Sequence, residues 1–126
     1  MIQLILHLFG DFVLQSHWMA ENKAKCSRVC ALHALLYTLP FLILRPSVTA
    51  LVVIGGSHFL IDRFRLARAV VWAKNVTLAP HDDRYRWSNC PNGYPSDVPA
   101  WLSVWLLIAA DNALHIAINY FAITFL

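Results

Sequence analysis

Residues 48–65 read VTALVVIGGSHFLIDRFR, a stretch that stays uncharged until it reaches His58 and Asp62. Four residues make about one turn of an α-helix, so these two side chains project from one face. Ionisable groups inside a helix that otherwise suits hydrocarbon are costly, and they mark functional sites by default. The stretch therefore predicts a membrane-buried helix that carries a functional pair of side chains.

The same spacing occurs twice more in the chain. His7 precedes Asp11 by four residues, and Asp111 precedes His115 by four, each pair inside an apolar segment. His33 lies in a fourth apolar stretch. Counting the rise per residue from the predicted segment ends places three of these four histidines at ~16 Å depth, with two aspartates at ~22 Å. The pattern predicts one shared polar site near the middle of the membrane.

The composition indicates the same class of protein. Of the 126 residues, 59% are hydrophobic and only 13% are charged, and the mean hydropathy is +0.54. Soluble domains average about 45–50% apolar and about 25% charged residues. The net charge of +3 is modest for a nucleic-acid-binding protein. We therefore expect a lipid bilayer as partner, and no nucleic acid.

We predict an all-α polytopic membrane protein, with a single membrane domain over residues 1–126. Because residues 74–97 are polar and rich in proline, they are predicted to form an irregular cytoplasmic loop. Some segments are short for a hydrocarbon core that takes roughly 20 residues to cross, so a re-entrant hairpin of the second and third segments is the alternative topology. The four transmembrane or re-entrant segments are predicted at 1–20, 29–44, 47–72 and 98–126.

The basic residues predict an orientation. Of the ten Lys and Arg residues, only Arg45 falls outside the two regions that share one side of the predicted bundle. The positive-inside rule then places those two regions in the cytoplasm and both termini outside. The predicted architecture is a helix bundle with a polar His/Asp core.

Imidazole and carboxylate groups together suit Zn, Mn or Fe better than Mg or Ca. We therefore predict one or two divalent metal ions, most simply Zn or Mn. A metal-bound water can be acidified to a pKa near ~7 and act as a nucleophile, which fits hydrolysis of a lipid or another membrane-accessible ester or phosphoester. Asp62, Asp111 and Arg65 are also predicted to be catalytic, and Arg65, seven residues after His58, is predicted to bind an anion. The predicted metal ligands are His7, Asp11, His33, His58, Asp62, Asp111 and His115.

Two other uses of these side chains stay open. Polar groups in membrane helices often serve only as hydrogen-bonding contacts between helices, and Asp and His at mid-membrane also form proton or ion pathways. The alternative function is therefore a non-enzymatic membrane effector or a small oligomeric pore. Self-association into a homo-oligomer is expected to be compatible with either function.

Three stretches together resemble a family of small membrane proteins from bacteria and phages, catalogued as domain of unknown function 3307. They are HLFGDFVLQSHWMA (7–20), HFLIDRFR (58–65) and DNALHIAINY (111–120), and the likeness spans nearly the whole chain. More loosely, the His/Asp helices are similar to inner-membrane proteins labelled metal-dependent hydrolases. The first resemblance implies a bacterial or phage-encoded protein located in the bacterial inner (cytoplasmic) membrane, and the second implies a metal role for the three His/Asp pairs.

Overall fold

The computed structural model describes residues 1–79 and 81–126, and these residues form helices and no strand. Helix α1 continues into a π-helical turn at Phe9–Val13, and α3 continues into a 3-10 helix at Leu39–Leu44. The chain divides into two compact units, Met1–Phe64 with His115–Leu126, and Arg65–Leu114. The α-helices are α1 Ile2–Leu8, α2 His17–Asn22, α3 Ser27–Thr38, α4 Val48–Phe64, α5 Leu66–Leu78 and α6 Ala100–Phe125.

Two helical stretches are long and apolar enough to cross a membrane. They are Ser27–Leu44, with 18 residues, and Ala100–Phe125, with 26. Ile2–Val13 is apolar but shorter. The all-α prediction is confirmed for the described residues, whereas the four spans and the placement of the termini stay predictions.

The first predicted segment, 1–20, is not one continuous helix. After the π-helical turn ends at Val13, the chain begins a new helix at His17. Ser16 caps this helix, because its Oγ accepts a hydrogen bond from the backbone N–H of Met19 at 3.3 Å. A serine at this position satisfies one of the amide groups that a helix start leaves without a partner.

The third predicted segment, 47–72, is divided at Arg65. This residue has φ 52° and ψ 45°, the left-handed conformation that interrupts a right-handed helix. Helix α5 then continues to Leu78, past the predicted end at 72 and into the region 74–97 that was predicted to be loop. The break between α4 and α5 results from the backbone conformation of Arg65 alone. The pattern of apolar residues does not predict such a conformation.

The segment that follows α5 is held against that helix by side chains that donate to backbone carbonyls. Arg68 donates to Cys90 at 3.1 Å, and Asn75 donates to Gly93 at 2.9 Å. Short 3-10 turns form at Asp83–Tyr85 and Trp87–Asn89. Hydrogen bonds from Arg84 hold the pKa of the Asp82 carboxyl below its usual value. Part of the predicted irregular loop is therefore ordered structure.

The hydrophobic core of the first unit is built around Tyr37, Phe41 and Ile54, which are fully buried. Helices α3 and α4 approach closely beside Gly55, where an added Cβ would lie 2.8 Å from Thr38 Oγ1. Thr38 Oγ1 donates to the carbonyl of Ala34 at 2.7 Å, so its position is set. Small residues permit such close approach between membrane helices.

A pair of adjacent glycines gives a matched test of this packing. Gly55→Ala is expected to lower the free energy of unfolding by about 1–3 kcal/mol, because the new methyl group overpacks the contact with Thr38. Gly56→Ala meets no atom within 4 Å and is expected to be neutral, or stabilising by up to about 1 kcal/mol through helix propensity. Denaturant unfolding in detergent measures both variants, and equal effects would contradict the packing.

Candidate metal centre

Four buried side chains from three parts of the first unit bring their ligand atoms together. Asp11 comes from the π-helical turn, His33 from α3, and both His58 and Asp62 from α4. The two histidines are 0% exposed and the two aspartates 7%. Their ligand atoms all lie within 4.8 Å of one another. We refer to Asp11, His33, His58 and Asp62 as the tetrad.

Helical geometry explains how each member reaches the site. His58 and Asp62 are one turn apart on α4, and their Nε2 and Oδ2 atoms are 3.1 Å apart. Asp11 lies in the wider π-helical turn, a local geometry that is frequent at functional sites. Gly10 lets this turn approach α3, because a Cβ at that position would lie 2.7 Å from Tyr37 Cδ2 and 3.2 Å from its carbonyl oxygen.

The separations between the ligand atoms suit a single metal ion. His33 Nε2 lies 3.2 Å from Asp11 Oδ1 and 3.2 Å from Asp62 Oδ2. His58 Nε2 lies 3.3 Å from Asp11 Oδ1 and 2.9 Å from His33 Nε2. Ligands 2.0–2.2 Å from one ion are ~3.3–3.6 Å apart at tetrahedral corners and ~2.8–3.1 Å apart at adjacent octahedral corners. The tetrad can therefore hold a metal ion without large movement.

Two buried carboxylate oxygens of the tetrad lie next to its imidazole nitrogens. Asp11 Oδ1 and Asp62 Oδ2 are buried and have no aligned hydrogen bond within the described chain. Both lie close to imidazole nitrogens, and Asp62 Oδ2 also lies 2.9 Å from Lys23 Nζ. Buried acceptors are normally satisfied, and a cation bound between the two carboxylates would satisfy both oxygens. Two carboxylates and two imidazoles form a donor set typical of Zn, Mn or Fe.

A second set of buried side chains supports the tetrad. Asn119 Nδ2 donates to the Tyr37 hydroxyl at 2.6 Å, and this hydroxyl also shares a hydrogen bond with His7 Nδ1 at 2.8 Å. The Tyr37 ring stacks on His58, with ring centres 3.6 Å apart and an interplanar angle of 14°. Among the described residues, the Nδ1 atoms of His33 and His58 have no hydrogen-bond partner. The stacked Tyr37 ring therefore orients His58 by packing.

The structure keeps His7 and Asp11 at ion-pair distance, with His7 Nδ1 3.7 Å from Asp11 Oδ2. Only Asp11 belongs to the tetrad, and His7 Nδ1 also shares a hydrogen bond with the Tyr37 hydroxyl. His115 is buried beside the tetrad, with its Nε2 3.8 Å from Asp62 Oδ1. His33, which has no aspartate one turn away in the sequence, is a full member of the tetrad.

Two of the predicted catalytic residues lie in the second compact unit. Asp111 is half-buried in α6, and Arg65 is exposed at the left-handed residue between α4 and α5. The roles predicted for these two residues stay predictions. The third predicted catalytic residue, Asp62, lies in the tetrad.

Lys23 is the site residue that the sequence reasoning missed. Its Nζ lies 2.9 Å from Asp62 Oδ2. From the sequence, this lysine was expected only to contribute to the orientation in the membrane. No periodic pattern links Lys23 to α4, because it lies in the turn that follows α2. A pairing partner for a buried aspartate was to be expected, but its identity depends on tertiary structure.

The two histidines of the tetrad lie near the middle of their helices, whereas Asp62 lies near the end of α4. His33 is six residues after the start of α3, and His58 is six residues before the end of α4, or ~9 Å in each case. Asp62 is two residues from the same end of α4. The tetrad thus extends from the middle of α3 and α4 toward the turn that carries Lys23, which contacts Asp62.

These features define an all-helical protein with membrane-length apolar helices and a buried His/Asp cluster suited to a metal ion. The chain belongs to the family described as "Protein of unknown function (DUF3307)", which matches residues 1–81. The matched region contains the whole tetrad and Lys23. No curated protein and no solved structure matches the chain.

Proposed function

We propose that this chain is a membrane-embedded metal-binding protein that hydrolyses an ester or phosphoester of a lipid or another membrane-accessible molecule. The observation that carries the proposal is the set of 2.9–3.3 Å separations among the ligand atoms of the tetrad. Asp11 Oδ1 and Asp62 Oδ2 have no aligned hydrogen bond in the described chain, and a bound ion would satisfy these buried groups, which are otherwise destabilising. The bacterial inner membrane is the proposed location.

The distribution of apolar side chains supports a membrane environment. Large apolar residues are exposed on the helices, including Ile43, Val52 and Trp105, while the buried polar residues include His7, His33, His58 and Asn119. Water would penalise this arrangement, because exposed apolar area is unfavourable there. Lipid favours it, because apolar side chains face hydrocarbon and polar ones face other helices.

The tetrad supplies the ligands that hydrolysis at a metal centre requires. Two neutral imidazoles and two carboxylates would hold a divalent ion, which lowers the pKa of a bound water and polarises the bond to be cleaved. Tyr37 keeps the His58 ring in place by stacking on it. Because the histidines are fully buried, the reaction would be shielded from bulk water.

A second candidate function is a non-enzymatic membrane protein whose polar core packs the helices or conducts ions. The hydrogen bonds that Tyr37 makes with His7 and Asn119 favour it, because they join α1, α3 and α6. Hydrogen bonds between membrane helices contribute about 0.6–2 kcal/mol each. Such a protein has no requirement for a bound ion.

Metal content and chelator sensitivity distinguish the two functions. We expect protein purified in detergent to retain one Zn or Mn ion per chain through gel filtration, measured by inductively coupled plasma mass spectrometry. Hydrolysis of p-nitrophenyl phosphate or p-nitrophenyl butyrate is expected to stop after chelation and to return when the metal is restored. Substoichiometric metal together with chelator-resistant folding would support the packing function instead.

A further inference from the structure

Lys23 reaches the tetrad from its more accessible edge. Its side chain is 20% exposed, whereas the side chains of Asp11 and Asp62 are 9% and 4% exposed. The Lys23 Nζ lies 2.9 Å from Asp62 Oδ2, the same oxygen that faces His33 and His58. A positive charge thus lies beside the predicted metal position, on the more exposed side of the tetrad.

The turn that carries Lys23 is held in place by the residue that follows Asp62. Arg63 Nη1 donates to the carbonyl of Ala24 at 2.7 Å, and its Nε donates to Ser27 Oγ at 2.9 Å. The backbone N–H of Lys23 donates to the carbonyl of Met19 at 2.8 Å. These hydrogen bonds fix the backbone on both sides of Lys23. Placing its ammonium group at the site therefore costs less conformational entropy.

The ammonium group has capacity for a second partner. It carries three N–H donors, and the Asp62 carboxylate is the acidic group within ion-pair distance of Lys23 in the described chain. An ion bound to Asp62 Oδ2 at 2.0–2.2 Å would lie no more than ~5 Å from Nζ. One anionic group could therefore contact both the ion and Lys23.

We propose that Lys23 binds the anionic phosphate of the substrate beside the metal, so that the substrate is a phosphoester and not a neutral carboxylic ester. The proposal rests on the metal site of the proposed function. Lysine binds phosphate as a point charge, whereas a neutral ester carbonyl gains far less from an ammonium group. A phospholipid headgroup and a soluble phosphomonoester share this chemistry. Lys23 then has the anion-binding role that the sequence suggested for Arg65.

Phosphate binding to metal-loaded protein tests the proposal. The protein in nanodiscs is saturated with Mn²⁺, with occupancy checked by electron paramagnetic resonance, and inorganic phosphate is titrated by calorimetry. Lys23→Met is expected to weaken phosphate binding at least ~10-fold, and Lys23→Arg is expected to restore most of it. Lys25→Met is the matched control, because Lys25 is exposed in the same turn, and its phosphate affinity is expected to stay within ~2-fold.

The outcomes separate the two proposals. If the wild-type protein binds neither Mn²⁺ nor Zn²⁺, the metal site fails and the role of Lys23 fails with it. If Mn²⁺ binds but Lys23→Met and Lys23→Gln hold phosphate as tightly as the wild type, only the role of Lys23 is overturned. Competition between inorganic phosphate and phosphatidate, in nanodiscs that otherwise contain phosphatidylcholine, indicates a lipid substrate. Phosphate binding that phosphatidate leaves unchanged indicates a soluble phosphoester.

Discussion

Replacing His58 with alanine is expected to lower the affinity for Zn²⁺ or Mn²⁺ by at least ~100-fold, because one of the four tetrad ligands is lost. His33→Ala is expected to have the same effect, since its Nε2 lies 2.9 Å from that of His58. Competition with a chromophoric chelator measures both affinities. His7→Gln should lower the metal affinity less, by ~10-fold, because His7 lies outside the tetrad and bonds Tyr37.

The control for these variants is His17→Ala. The His17 side chain is 87% exposed and lies 3.5 Å from Glu21, so its removal should leave metal affinity unchanged. If His58→Ala and His17→Ala bind metal equally well, the tetrad is not the binding site. If His7→Gln loses more metal affinity than His33→Ala, the metal lies closer to α1 than the tetrad predicts.

Removing the Tyr37 side chain is expected to produce the largest loss of stability in the first unit. Tyr37 is 0% exposed, stacks on His58 and bonds both His7 and Asn119. Tyr37→Ala should lower the free energy of unfolding by about 3–5 kcal/mol, the usual cost of truncating a buried aromatic residue. Tyr37→Phe keeps the stacked ring but leaves buried polar groups unsatisfied, and it should cost about 1–3 kcal/mol.

Denaturant unfolding followed by tryptophan fluorescence measures these losses. Tyr120→Phe is the matched control, because Tyr120 is 54% exposed and its hydroxyl should contribute within about 0.5 kcal/mol. A Tyr37→Phe variant as stable as the wild type would show that the hydroxyl does not hold Asn119 and His7 together. Weakened metal binding in a stable Tyr37→Phe variant would show instead that its main role is to position the site.

Much of the site was predictable because it follows from helical spacing. His58 and Asp62 lie one turn apart on an apolar helix, and the structure brings their Nε2 and Oδ2 atoms within 3.1 Å. His33 was included because it lies in an apolar stretch at a matching distance from the predicted segment end. These predictions needed only the rule that buried ionisable groups require partners.

The pairing of residues across helices was not predictable in the same way. His7 and Asp11 share a helical face in the sequence, but the π-helical turn directs Asp11 to His33 and His58 while His7 bonds Tyr37. A π-helical turn changes the angle between successive side chains without a signature in the apolar pattern. The contact between Lys23 and Asp62 was not predicted. The two residues lie far apart in the sequence, so helical periodicity does not connect them.

The sequence by itself determined the helical class, the apolar segments and the identity of the buried His and Asp side chains, because these depend on composition and on the period of 3.6 residues. Only the tertiary structure decided which four ligand atoms meet, where α4 ends at the left-handed Arg65, and which cation contacts Asp62. The physical reason is that side chains from different helices come within about 3 Å of one another only through backbone turns and helix packing. These are cooperative properties of the whole unit, whereas spacing along one helix is local.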